Sequence, residues 1–111
     1  VHHNKERNVM TSQVAIVAEI RPGRHKDLIG MLETGPPFDL AKQGFDHHEV
    51  FVGDNDVVFV FTLPGGLSEV ERIAKEPDVL RELHVLSNVL QAPRLLQQTF
   101  SWSRVHDEAV Q

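Results

Sequence analysis

Residues 57 to 63, Val-Val-Phe-Val-Phe-Thr-Leu, place apolar side chains at both odd and even positions. In a strand, Phe59, Phe61 and Leu63 point to one face and Val58, Val60 and Thr62 to the other, so the segment needs a cover on each side. Residues 13 to 21 share this two-sided pattern and stop at the turn-forming pair Pro22-Gly23. From 24 to 34, Leu28, Met31 and Leu32 recur at helical spacing, and Gly35 ahead of Pro36 and Pro37 is a stop signal. Residues 36 to 44 read as a connecting loop. Residues 45 to 52 and 57 to 63 then flank Gly53-Asp54-Asn55-Asp56, which predicts a β-hairpin. After Pro64-Gly65-Gly66, Ser68 and Glu71 match a capping box that opens a second helix, with Val70, Ile73 and Ala74 as its inner stripe. Pro77 either kinks that helix or restarts it at Asp78, where Leu80, Leu83 and Leu86 continue the stripe. Residues 94 to 102 predict a last strand, with Phe100 and Trp102 on one face as core residues.

The resulting order, β-α-β-β-α-β, predicts an α+β, ferredoxin-like domain: a four-stranded antiparallel sheet with the helices on one face. One such domain is expected over residues 13–104, between a flexible N-terminal leader, 1–12, and a C-terminal tail, 105–111. A two-residue turn at Asp54-Asn55 sorts the side chains, and a three-residue turn would reverse the sorting. With the shorter turn, Val50, Val52, Val57, Phe59 and Phe61 face the helices together with Val14, Ile16 and Ile20. His47, Glu49, Phe51, Val58, Val60 and Thr62 then share the opposite face with Ala15, Val17 and Glu19. Fully burying one Val, Leu or Phe contributes about 1.5–3 kcal/mol, against the ~5–15 kcal/mol that holds a domain folded. Leaving the second face in water would forfeit much of that margin, so the chain is expected to form a homodimer through it.

Composition removes several function classes. The 111 residues carry a formal charge of −5, from 16 acidic against 11 basic side chains, and the basic ones are scattered rather than gathered into a stripe. Nucleic acid is therefore not an expected partner. With no cysteine there is neither a disulfide framework nor thiolate chemistry. No apolar run reaches the ~20 residues that cross a bilayer, and the first residues lack the apolar core of a signal peptide. A soluble cytoplasmic protein with no membrane partner is the expectation.

The element order, the Arg21-Pro22-Gly23 end of the first strand and the two-sided hairpin together resemble the dimeric α+β barrel superfamily. Its members include antibiotic-biosynthesis monooxygenases, haem-degrading monooxygenases, polyketide cyclases and isomerases. The resemblance spans about residues 13 to 102, and it implies two copies joined through their sheets as an α+β barrel. It identifies a fold that hosts many chemistries. Within it, Asp78-Val79-Leu80-Arg81-Glu82-Leu83-His84 looks like the segment of haem-degrading monooxygenases whose histidine is the axial ligand, which implies haem on His84. Two departures stand against that activity: the upstream tryptophan of those enzymes corresponds to Ala74, and their asparagine at the end of the first strand falls near Glu19 or Ile20.

His47-His48-Glu49 is the densest ionisable cluster. On a strand His47 and Glu49 share a face and His48 points away, so one histidine can act as a base and Glu49 as its orienting carboxylate, or the pair as two metal ligands that need others from elsewhere. Ala15, Val17, Glu19, Phe51, Val60 and Thr62 are the expected walls for an apolar small molecule, Glu19 as a carboxylate whose pKa rises if it is buried. Three readings follow. The first is a cofactor-independent monooxygenase-like or cyclase-like enzyme of secondary metabolism, using His47 or His48 with Glu49 and with His84 as a further polar wall. The second is a haem protein using His84. The third is a non-catalytic dimeric binding or structural module. Nothing in the sequence names a substrate.

Overall fold

A computed structural model describes residues 11–36 and 38–104. Four strands and three helices follow in the order β1 (Thr11–Ile20), α1 (His25–Glu33), β2 (His47–Val52), β3 (Asp56–Pro64), α2 (Gly66–Ile73), α3 (Pro77–Leu86) and β4 (Leu90–Gln97). The strands form one antiparallel sheet in the spatial order β2-β3-β1-β4, the ferredoxin-like arrangement. β1 begins at Thr11, inside the stretch expected as a leader. The rest of that leader, residues 1–10, and the expected tail, 105–111, lie outside the described residues.

The hairpin turns as its sequence predicts. Val52 pairs with Val57, and the Gly53 N–H donates to the Asp56 carbonyl at 2.7 Å, so Asp54-Asn55 is the two-residue loop. This register puts Val57, Phe59, Phe61 and Leu63 under the helices, each buried. Val14, Ala18 and Ile20 of β1 join them. The helices add Leu28, Val70, Ile73 and Val79, with Leu28 fully buried.

Three local expectations are corrected. Ser68 does not cap α2: its Oγ donates to the Gly65 carbonyl at 3.2 Å, and the helix starts two residues earlier, at Gly66. Gly65 turns the chain into that helix at φ +87, where an added Cβ would stand 2.5 Å from Glu69 Cγ, so only glycine fits. The helix then ends at Ile73, and α3 restarts with Pro77 at its first turn, after an extended Glu76. This restart rotates the inner stripe onto Val79, with Leu86 partly buried, and leaves Leu80 51% and Leu83 41% exposed.

The last strand runs over Leu90–Gln97 rather than 94 to 102. Consequently Phe100 and Trp102 are not core residues: they follow the strand and are 80% and 72% exposed. β4 carries one extra residue where Val17↔Arg94 gives way to Glu19↔Gln91. Ala92 sits in this bulge at φ 51, a left-handed conformation that penalises a Cβ by about 1–2 kcal/mol. Pro93 follows it, at a place where a missing N–H disturbs no regular ladder. Ala92→Gly is expected to stabilise the fold by about 0.5–1 kcal/mol, read as a higher urea midpoint with unchanged slope. An unchanged or lower midpoint would show that the bulge relaxes without cost.

Candidate functional site

The sheet face away from the helices is ordered in rows by the strand register. At one end lie His47, Thr62 and Gln13, followed by Gln98. Their amides make a ladder: Gln13 Nε2 donates to Thr62 Oγ1 at 3.4 Å and Gln98 Nε2 to Gln13 Oε1 at 3.2 Å. The next rows are Glu49, Val60, Ala15 and Leu96, then Phe51, Val58, Val17 and Arg94. At the far end Glu19 accepts from Gln91 Nε2 at 3.1 Å, while Arg21 holds the Gln91 side-chain carbonyl at 3.2 Å and the Ser87 backbone carbonyl at 3.0 Å.

Thus the expected walls Ala15, Val17, Glu19, Phe51, Val60 and Thr62 do share one face with His47 and Glu49. The face is open in a single copy, with Phe51 57% and Leu96 42% exposed. His47 Nε2 stands 3.5 Å from Glu49 Oε2, both side chains about half exposed. Glu19 is also exposed, so it is not the buried carboxylate that a base role there would need. Among the described residues no group of three or more histidine or acidic side chains is placed to hold a metal ion.

His48 points to the other side. Its ring stacks on Phe61 with centroids 4.4 Å apart and planes at 15°, and lies parallel to Phe59 at 6.3 Å. Nδ1 is 3.1 Å from the Val60 carbonyl. A carbonyl only accepts, so Nδ1 carries the proton and Nε2 keeps its lone pair. Burial pushes the His48 pKa below the ordinary 6.5, outweighing the Val60 hydrogen bond that raises it, and neighbouring His47 lowers it further. The site therefore holds a neutral imidazole with a free, basic nitrogen at neutral pH.

This imidazole borders a recess of about 340 Å³. Pro36, Leu40, Ala41 and Phe45 supply its apolar walls, and Asp46, His47 and His48 its polar side. From the wall residue Phe45, rings continue to Phe38 at 6.1 Å and to Phe61 at 5.0 Å, and Phe61 carries the packing through to His48. Pro36, Leu40 and Ala41 come from residues expected only to connect elements, whereas Phe45 belongs to the stretch expected as the first hairpin strand. Their signal was Leu40 and Phe45, apolar residues in a stretch otherwise rich in glycine, proline and charge. A smaller space of about 130 Å³ lies between Ser12, Gly66 and Gln97 and is lined mainly by amides and backbone. His84 borders neither space; it is exposed on α3.

No known protein-family model matches the chain, and neither does any curated protein sequence. Solved structures do match. An antibiotic biosynthesis monooxygenase is 11% identical, with a TM-score of 0.61 over 84% of this chain and 100% of that one. A dimeric protein of unknown function and ferredoxin-like fold from Bacteroides fragilis is 11% identical, with a TM-score of 0.63 over 81% and 96%. SnoaB, a cofactor-independent oxygenase from Streptomyces nogalater, is 14% identical, with a TM-score of 0.58 over 84% and 95%. No helix among the described residues is long and apolar enough to cross a membrane. The chain therefore shares the ferredoxin-like fold of antibiotic-biosynthesis-monooxygenase-type proteins, in keeping with its element order.

Proposed function

We propose that the protein works as a homodimer, joined through the open sheet face, that takes a small, largely apolar organic molecule into the recess beside His48 and removes a proton from it. The observation that carries this reading is the His48 imidazole, neutral, fixed by the Val60 carbonyl and bordering an apolar recess with its second nitrogen free. A base with a pKa near or just below the working pH suits deprotonation of an acidic, electron-rich substrate. The resulting anion can then give electrons to dissolved oxygen or close a ring, and either step needs positioning more than a cofactor. SnoaB, a fold neighbour, is a cofactor-independent oxygenase. His47 borders the recess and can orient a polar end of the ligand, with Glu49 beside it at 3.5 Å on the opposite face of β2.

The test is turnover of a panel of phenols and hydroquinones, followed by oxygen uptake and product mass. Turnover is expected to persist below the ordinary imidazole pKa of 6.5 and to fall only as more acid pH passes the lowered pKa of His48, and His48→Gln is expected to lower kcat by about 100-fold or more. His84→Ala should leave the rate unchanged. Turnover that survives His48→Gln would remove this histidine from the chemistry.

A further inference from the structure

Arg94 is a charged side chain on the apolar part of the open sheet face. The strand register sets it in the row Phe51, Val58, Val17, Arg94, with Leu96 as its neighbour along β4. Arg21, Arg24, Arg72 and Arg81 each engage an oxygen of this chain. Arg94 has no ion-pair partner among the described residues. A face that closes over a guanidinium must bring it a carboxylate, because an unpaired charge taken out of water is costly. The same face carries one at its other edge: Glu49 of β2, half exposed, with His47 beside it at 3.5 Å.

We infer that Arg94 of each copy pairs with Glu49 of the other, and that this reciprocal pair fixes how the two sheet faces meet. The inference rests on the homodimer reading above and adds to it a symmetry axis and two residues. A two-fold axis can run across the strands or along them. Across the strands, each edge strand lies over its own counterpart, so Arg94 faces the partner's β4 with its Arg94, and Glu49 the partner's β2 with its Glu49, which repels at both edges. Along the strands, β4 lies over the partner's β2. Arg94 then stands across from the partner's Phe51, one row from the partner's Glu49.

Facing sheets lie ~10 Å apart and successive rows on one face about 7 Å apart, so the two Cα atoms are separated by about 12 Å along the diagonal. Two long side chains reaching toward each other close that gap to a charge-assisted hydrogen bond, and the Phe51 ring offers its face to the guanidinium on the way. The same axis brings Glu19 and Asp56 to one level, at the end of the sheet, where both are exposed and water screens them. Glu49 stands beside His47, and His47 borders the recess. The pair therefore carries the partner's Arg94 to the rim of the candidate site, and each copy contributes a charge next to the other's recess.

The test is an exchange of charge. Arg94→Glu and Glu49→Arg chains are studied separately and as an equimolar mixture, by sedimentation velocity and native mass spectrometry, with circular dichroism as the folding control. Both residues are exposed in a single copy, so neither change touches the core. Each reversed chain meets two like-charged contacts in its own dimer, while the mixture restores two opposite-charged ones. Dimerisation is expected to weaken by about tenfold or more in each chain alone and to recover in the mixture, as heterodimer. Arg94→Gln, Glu49→Gln and their double variant measure the same coupling without a reversal, and the two losses are expected not to add. Reversed chains that dimerise like the unaltered protein overturn the pair and leave the homodimer standing. Weakening that the mixture does not relieve, or glutamine losses that add, overturns the placement of β4 over the partner's β2. An unaltered chain that is monomeric at tens of micromolar removes the homodimer and the pair with it.

Discussion

Replacing Phe61 by alanine is expected to cost the fold about 3–5 kcal/mol, the largest loss from any single side chain discussed above. Phe61 lies on β3, a central strand, 9% exposed, and its ring contacts Phe45 at 5.0 Å and His48 at 4.4 Å between centroids. Truncation removes the buried area, opens a cavity and ends two ring contacts, each worth about 0.5–1.5 kcal/mol beyond area. Set against a total of ~5–15 kcal/mol, the variant keeps only part of its margin. Urea denaturation measures it; a loss under ~1 kcal/mol would mean that the surroundings collapse into the gap. The same variant carries a second readout. Burial is the leading cause of the lowered His48 pKa, so opening the stack moves that pKa back up toward 6.5.

If the protein is the homodimer proposed above, Val58→Asp is expected to convert it to monomer at micromolar concentration while leaving the fold in place. Val58 lies on β3, between Phe51 and Val17 on the open face, and contributes nothing to the helix-side core. In a two-fold assembly each copy brings one such carboxylate into the shared apolar layer, and aspartate is too short to carry its charge out to the rim. An unpaired buried charge costs several kcal/mol, enough to weaken association by at least ~100-fold. Sedimentation reads the mass and circular dichroism controls for folding. A folded dimer of the variant would locate the interface elsewhere, with the outward Leu80 and Leu83 of α3 the next surface to examine.

These two substitutions sit on opposite faces of one strand, and the sorting of those faces follows from the amino-acid sequence once the turn is the two residues Asp54-Asn55, which the structure decides against the three-residue turn that would reverse it. Where the chain obeys a single period, as in β3, the residue pattern is enough. It fails where two periods meet. Leu80 and Leu83 continue the apolar spacing of the preceding helix on paper, but the break before Pro77 restarts the helix with a different rotation, and Val79 takes the inner position. Phe100 and Trp102 alternate like strand residues, yet the ladder has already ended at Gln97. The site divides the same way. That His47 and Glu49 oppose His48 follows from strand alternation. That the recess lies on the side of His48 does not, because Pro36, Leu40 and Ala41 come from a loop without a period.

The position of β1 has a consequence for the chain during its synthesis. β1 is the first of the described elements and lies between β3 and β4, so Val14 waits for Phe61 on one side and Gln97 on the other. Neither neighbour exists while the early segment emerges from the ribosome, and the sheet cannot close until nearly the whole domain has been made. Pairings between residues so far apart in sequence form slowly, and an apolar strand without neighbours is a surface on which other chains can associate. β1 is thus left without its sheet neighbours until β3 and β4 have been made.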